Sequence, residues 1–154
     1  MTETLGAGAE DAPEISSLSP QQITVWVQQL MTSLPSSGPV PAIREFDAVT
    51  LYEAMVAVEE AQAMAERVAS LMEIARKALL SGLADRAEQD KKLSRTRAEA
   101  AVLADRGYLE HVRQQARANY AATLLKGRAR ALYKLADMLR TEEANHRATL
   151  PRTP

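Results

Sequence analysis

Between Ala54 and Ala78 the positions 54, 57, 61, 64, 68, 71, 75 and 78 step alternately by three and four residues, and each holds Ala, Met, Val or Leu. Apolar residues at that spacing return to one side of an α-helix, so the stretch is a helix before any other feature is considered. Leu51, Val58, Ala65, Met72 and Leu79 add a further apolar column, seven residues apart, beside the first. Three apolar positions per heptad are more than a two-column coiled-coil seam needs, and predict a bundle helix with more than one neighbour. The many alanines favour close approach, near the low end of the usual helix spacing of ~8 to 10 Å. Thr50-Leu51-Tyr52-Glu53 has the T-x-x-E form of a capping box and sets the predicted start, with Pro41 as the outer limit; Ser81-Gly82 is the predicted stop.

The rest of the chain reads as helix and punctuation. Residues 1–18, rich in Gly, Ala, Glu and Ser without periodicity, are expected to be a disordered or loosely docked tail. Ser19-Pro20-Gln21-Gln22 combines a serine cap, proline at the first helical position and glutamine at the third. The short helix it opens, residues 19–34, gathers Ile23, Trp26, Val27, Leu30 and Met31 on one face. Residues 35–44 hold three prolines and a glycine and form a linker that no helix crosses.

Residues 83–95 are mostly charged and are expected at the exposed tip of a hairpin, helical at most at their start. Thr96-Arg97-Ala98-Glu99 repeats the capping-box pattern and predicts a fresh helix, with Ala98, Ala101, Val102, Leu109, Val112, Ala116, Tyr120 and Leu124 as its apolar face. Arg97 to Lys126 equals Leu51 to Leu80 in length, as an antiparallel hairpin requires. Past Gly127 the apolar positions Ala131, Leu132, Leu135, Met138 and Leu139 continue, but the steps 116, 120, 124 are a stutter in the heptad phase. Either one helix runs through, locally unwound, or the chain turns at Gly127 into a further helix; the turn is preferred. The expected fold is all-α: an elongated antiparallel helical hairpin or three-helix bundle over residues 45–149, with the short N-terminal helix, and a tail at 150–154.

Composition narrows the chemistry. The chain has no cysteine, so disulfides and thiolate chemistry are excluded. It has two histidines, His111 and His146, and no phosphate-cradle or nucleophile-elbow motif. Glu143-Ala144-Asn145-His146 has the E-x-x-H spacing of di-iron bundles, but a second copy is missing: the residue three before His111 is Tyr108. No catalytic residue, metal or cofactor is therefore expected. The N-terminus lacks a basic, apolar leader and no apolar run approaches the ~18 residues of a membrane span, so a cytoplasmic, non-membrane protein is the default.

The charge is unevenly placed. Residues 1–80 carry 4 basic and 11 acidic side chains, and residues 81–154 carry 15 and 9. This asymmetry would pair two antiparallel helices in one orientation, or steer a partner. The expected function is that of a non-enzymatic interaction or assembly protein, self-associating as a homo-oligomer or docking onto a protein partner. The expected contact residues are Trp26, Ala54, Val58, Ala61, Ala65, Val68 and Met72. The alternative is a small nucleic-acid-binding accessory protein. Between His111 and Ala136 no residue is acidic, and Arg113, Arg117, Lys126, Arg130 and Lys134 would meet phosphates while Tyr120 or Tyr133 stacks on a base.

Overall fold

An aspartate or a serine stands immediately before each α-helix. A computed structural model describes residues 15–35 and 47–149. Among these the chain forms a 3-10 turn at Ile15–Ser17 and four α-helices: α1, Pro20–Thr32; α2, Ala48–Lys91; α3, Arg95–Leu103; and α4, Arg106–Thr149. No described residue is in a strand. The fold is all-α, as the periodicity predicts. The expectations for residues 1–14, for the linker residues 36–44 and for the tail at 150–154 fall outside the described residues.

At α1 the predicted box forms in full. The Ser19 amide donates to Gln22 Oε1 at 2.8 Å, and the Gln22 amide donates to Ser19 Oγ at 3.3 Å. The other two boxes do not. Helix α2 starts at Ala48 because Asp47 Oδ1 accepts from the Thr50 amide at 2.7 Å, which puts Thr50 inside the first turn. That contact also holds the Asp47 carboxyl below its ordinary pKa. Helix α3 starts at Arg95 after Ser94 in extended conformation, so Thr96 is again interior.

Helix α2 also passes its predicted stop. It continues through Ser81-Gly82 to Lys91, and the left-handed turn comes at Lys92, with φ 52°. The charged stretch 83–91 is the solvated side of a helix whose inner side is Ala84, fully buried. Gly82 serves close approach instead of termination, since a Cβ there would lie 3.4 Å from the Pro20 ring of α1. After Lys92, Arg95 ties the turn together through Asp85, Glu99 and, at 3.7 Å, Glu88.

The second correction concerns phase. Helix α3 ends at Ala104, and Asp105 caps α4 by accepting from the Tyr108 amide at 3.0 Å. This break resets the helical register. The buried residues of α4 are Tyr108, His111, Ala118, Leu125, Ala129, Leu132 and Ala136, whereas Ala101, Leu109, Val112, Ala116, Tyr120 and Leu124 of the expected face are exposed. His111, Ala118, Leu125 and Leu132 return every seven residues without a stutter. Helix α4 therefore runs unbroken through Gly127 to Thr149, and the preferred turn and further helix do not occur.

In α2 the same spacing is carried by the column predicted as secondary. Leu51, Ala65, Met72 and Leu79 are buried and Val58 is half-buried, flanked by Val68 and Ala75, both buried, and by Ala54 and Ala61, both half-buried. Ala57 and Met64 of the primary column are exposed. With Leu51 as heptad position a, burial lies at a, d and e, and position g is outside.

The residues form two compact units. The first contains the chain up to Thr32 together with Leu71–Gln114. Its core is Ile23 and Val27 of α1 with Met72, Ala75, Leu79, Ala84, Ala98, Val102 and Tyr108. Arg76 Nη1 donates to Tyr108 Oη at 3.1 Å, so the phenol end is satisfied.

The second unit contains Ser33–Ser70 and Gln115–Pro154. It is a hairpin of α2 against α4, with Leu51 packed on Leu132 and Ala136 beside Met55, Val58 and Leu135. The pairing is antiparallel: Leu51 meets Leu132 and Ala136, while Glu66 and Ala69 lie beside Asn119 and Ala122.

Two predictions test this register. Gly127 lies in a helix interior with nothing within 4 Å of a Cβ position, so Gly127→Ala should raise unfolding stability in urea by about 1 kcal/mol. A turn at Gly127 would make the same change destabilising. Val68→Asp places an unpaired charge at a position 4% exposed and should abolish the helical circular-dichroism signal or the cooperative transition. Arg113→Ala with Arg117→Ala, both exposed, should leave that transition within about 0.5 kcal/mol.

Candidate functional site

The expected contact residues fall mostly inside the molecule. Ala65, Val68 and Met72 are 0%, 4% and 2% exposed, and Trp26, Ala54, Val58 and Ala61 are half-buried. The chain itself covers these positions, Trp26 and Met72 in the first unit and the other five in the second. They therefore offer little surface to another molecule.

What remains exposed and apolar is different. In the second unit Met64, Tyr120, Leu124 and Met138 are 50%, 65%, 38% and 60% exposed, with Ala57 and Ala131 also open. With His111, Ala118, Leu125 and Leu132 as position a of α4, position g of each helix supplies Ala57, Met64, Leu124, Ala131 and Met138, and Tyr120 sits at the adjoining position c. In an antiparallel pair the g positions of both helices flank the seam on one side and the e and b positions on the other. The other side is more polar but carries Tyr52 and Tyr133, 68% and 46% exposed. Tyr133 donates to Glu59, and a shallow cleft there is lined by Glu66, Ser70, Asn119, Thr123 and Lys126. The bond to Glu59 raises the Tyr133 pKa.

The cationic residues are placed as follows. Arg113 lies in the first unit and contacts Glu110 at 3.4 Å. Arg117, Lys126, Arg130 and Lys134 lie in the second unit and are exposed. Because α4 is continuous, Lys126, Arg130 and Lys134 follow one another a turn apart along its outer surface. Acidic residues stand close by: Glu66 shares the cleft with Lys126, and Glu59 holds the Tyr133 hydroxyl. Tyr120 and Tyr133 are 65% and 46% exposed in this stretch, the latter with its hydroxyl held by Glu59.

A third feature was not legible in the sequence. In the first unit a cleft of about 420 Å³ lies between α1, α2 and α4, lined by Thr24, Leu79, Arg86, Tyr108, His111 and Gln114 among others. His111 is 9% exposed. Its Nε2 lies 3.4 Å from Thr24 Oγ1, a long contact, while its Nδ1 and the buried Gln114 Oε1 have no hydrogen-bond partner within the protein. Burial pushes the imidazole pKa below its ordinary value, and the Glu110 carboxylate offsets this in part.

The Thr24 hydroxyl beside His111 donates to the Pro20 carbonyl at 2.9 Å. Among the described residues no group of three or more His, Asp and Glu side chains is placed to hold a metal ion. Glu143 of the E-x-x-H segment is paired with Arg147 at 2.5 Å, and His146 is exposed. No helix of the described residues is long and apolar enough to cross a membrane.

A scan against protein-family models finds no match, and comparisons with curated proteins and with solved structures find none either.

The buried imidazole gives a pH dependence with a definite sign. A histidine whose folded pKa is depressed stays neutral in the folded state while the unfolded chain takes up a proton. Its contribution to stability is thus present above about pH 6.5 and is lost as pH falls toward the lower folded pKa. The urea midpoint should fall from pH 7 to pH 5, and His111→Gln should flatten that slope. An unchanged slope would show that His111 ionises as freely folded as unfolded.

Proposed function

We propose that this chain is a non-enzymatic assembly protein that works through protein contacts made by helix faces, self-associating or docking onto a larger complex. The observation that carries the reading is the apolar side of the second unit. Met64, Tyr120, Leu124 and Met138 stay exposed after the seam between α2 and α4 has been filled. Scattered single apolar residues on a surface need no explanation, but here four large ones and two alanines share one side of a hairpin by their heptad positions. The buried columns expected to make the contact serve the fold instead, which moves the proposed contact to position g and its neighbours.

A second reading, nucleic-acid binding by α4, is favoured by the unbroken run of Lys126, Arg130 and Lys134 beside exposed Tyr120. It is weighed down by Glu59 and Glu66 on the neighbouring helix, which lower the local positive potential.

A photo-reactive residue separates the two. Placed at Leu124 and activated in cells, it should give protein adducts, and placed at Ser70 on the polar side it should give far fewer. Adducts to nucleic acid from position 124 or 130, together with in-vitro binding that weakens steeply with salt, would favour the second reading. Absence of any protein adduct from position 124 would sink the first.

A further inference from the structure

We propose that the apolar side of the second unit is an interface between two copies of this chain, related by a two-fold axis parallel to α2 and α4. In that arrangement α2 of one copy lies on α4 of the other. The inference rests on the protein-contact reading above and names the partner.

The two helices of this unit carry opposite charge. From Asp47 to Ser70, α2 and its cap hold Asp47, Glu53, Glu59, Glu60 and Glu66 against Arg67 alone. From Gln115 to Ala136, α4 holds Arg117, Lys126, Arg128, Arg130 and Lys134 and no acidic residue. On the apolar side Glu53 and Glu60 occupy position c of α2 and Lys134 position c of α4. Arg67 at position c of α2 and Arg117 at position g of α4 are both cationic toward the other end, so the favourable pairing lies at the Glu53–Lys134 end.

The antiparallel register sets the levels. Leu51 packs at the level of Leu132 and Ala136, and Glu66 and Ala69 lie near Asn119 and Ala122, so Met64 stands level with Leu124 and Ala57 with Ala131.

Two ways of laying one such hairpin on another preserve two-fold symmetry, and charge chooses between them. An axis across the helices sets α2 on α2 and α4 on α4, so that Glu53 and Glu60 of one copy lie along the acidic α2 of the other and Lys134 along its basic α4. Like charges facing across an interface oppose association. An axis along the helices sets the acidic border on the basic one. Met64 then covers the partner's Leu124, Ala57 covers the partner's Ala131, Glu53 comes to the level of the partner's Lys134, and Arg67 to that of the partner's Tyr120, a cation on an aromatic face. Small residues at the centre, Ala57, Gly127 and Ala131, let the layers approach closely. Such a contact is isologous and closes on itself, so it ends at a dimer.

The first unit shows the same side of a helix in its covered state. There Leu71 and Ala78, at position g of α2, are half-buried, whereas Ala57 and Met64 at the same position in the second unit are exposed.

Sedimentation velocity of the full chain over the micromolar range should show a dimer. Met64→Asp with Leu124→Asp should raise its dissociation constant at least ~100-fold while the helical circular dichroism is kept. Because the chain has no cysteine, an independent readout is available even if the aspartates disturb folding. Met64→Cys protein mixed with Leu124→Cys protein and oxidised should form a cross-linked dimer, and neither variant alone should do so.

A strict monomer at all concentrations overturns the proposal. So does a dimer indifferent to both aspartates, or cross-linking by Met64→Cys alone, which marks the other axis. A monomer whose photo-adducts at position 124 reach residues 36–46 of its own chain also overturns it, as does one whose adducts reach a different protein. In that last case the assembly reading stands and only its partner changes.

Discussion

The return of buried side chains every seven residues along α2 and α4 is the constraint on which the rest depends. Much of this seam is alanine: Ala54, Ala61, Ala65, Ala69 and Ala75 on α2, and Ala118, Ala122, Ala129 and Ala136 on α4. Each buried methyl contributes on the order of 0.8 kcal/mol, far less than a leucine, so no single contact holds the helices together. Stability comes from close approach repeated over many turns, with Leu51, Met72, Leu79, Leu125 and Leu132 as the larger contributors. A seam of this kind is sensitive to phase. One break in a helix moves every later side chain to a different side.

That sensitivity explains where the sequence was legible. The columns of α2 were visible because no break interrupts them, and so was the cap at Ser19, where serine, proline and glutamine agree. The face of α4 was not, because the break at Ala104-Asp105 has a weak signature: Asp-Arg-Gly-Tyr lacks the glutamate or glutamine that completes a capping box. Counting across it from Ala98 selected Leu109, Ala116, Tyr120 and Leu124, which the structure leaves exposed. Counting from Tyr108 selects the buried set and removes the apparent stutter at Gly127. The false boxes at Thr50 and Thr96 have a related cause. A threonine followed three residues later by glutamate is also an ordinary pair inside a helix, and here Asp47 and Ser94 mark the ends instead.

Charge misled in a different way. Residues 83–91 read as a loop because they are mostly polar, yet Arg, Glu, Gln and Lys are good helix formers and only Ala84 need face inward. The buried polar chemistry of the first unit was hidden for the opposite reason. His111 sits in an a-type position where its neighbours at seven-residue intervals are Ala118 and Leu125, and nothing local distinguishes an imidazole in a cleft from one on the surface. Its contact with Thr24 spans 87 residues of chain. Only the tertiary placement of α1 reveals it.

The exposed side of the second unit follows from the width of the α2 stripe. Its three apolar columns predicted more than one neighbour, and α4 occupies only the d, a and e side. The g column, Ala57, Met64, Leu71 and Ala78, lies outside that side. Leu71 and Ala78 of that column are half-buried in the first unit, and Ala57 and Met64 are exposed in the second. The matching positions of α4, Leu124, Ala131 and Met138, are open as well, although the expected face of that helix was assigned in the wrong register. Errors of phase on α4 and of column on α2 thus converge on one surface. Tyr120 and Leu124, which the periodicity placed in the seam of α4, lie on that surface at 65% and 38% exposure.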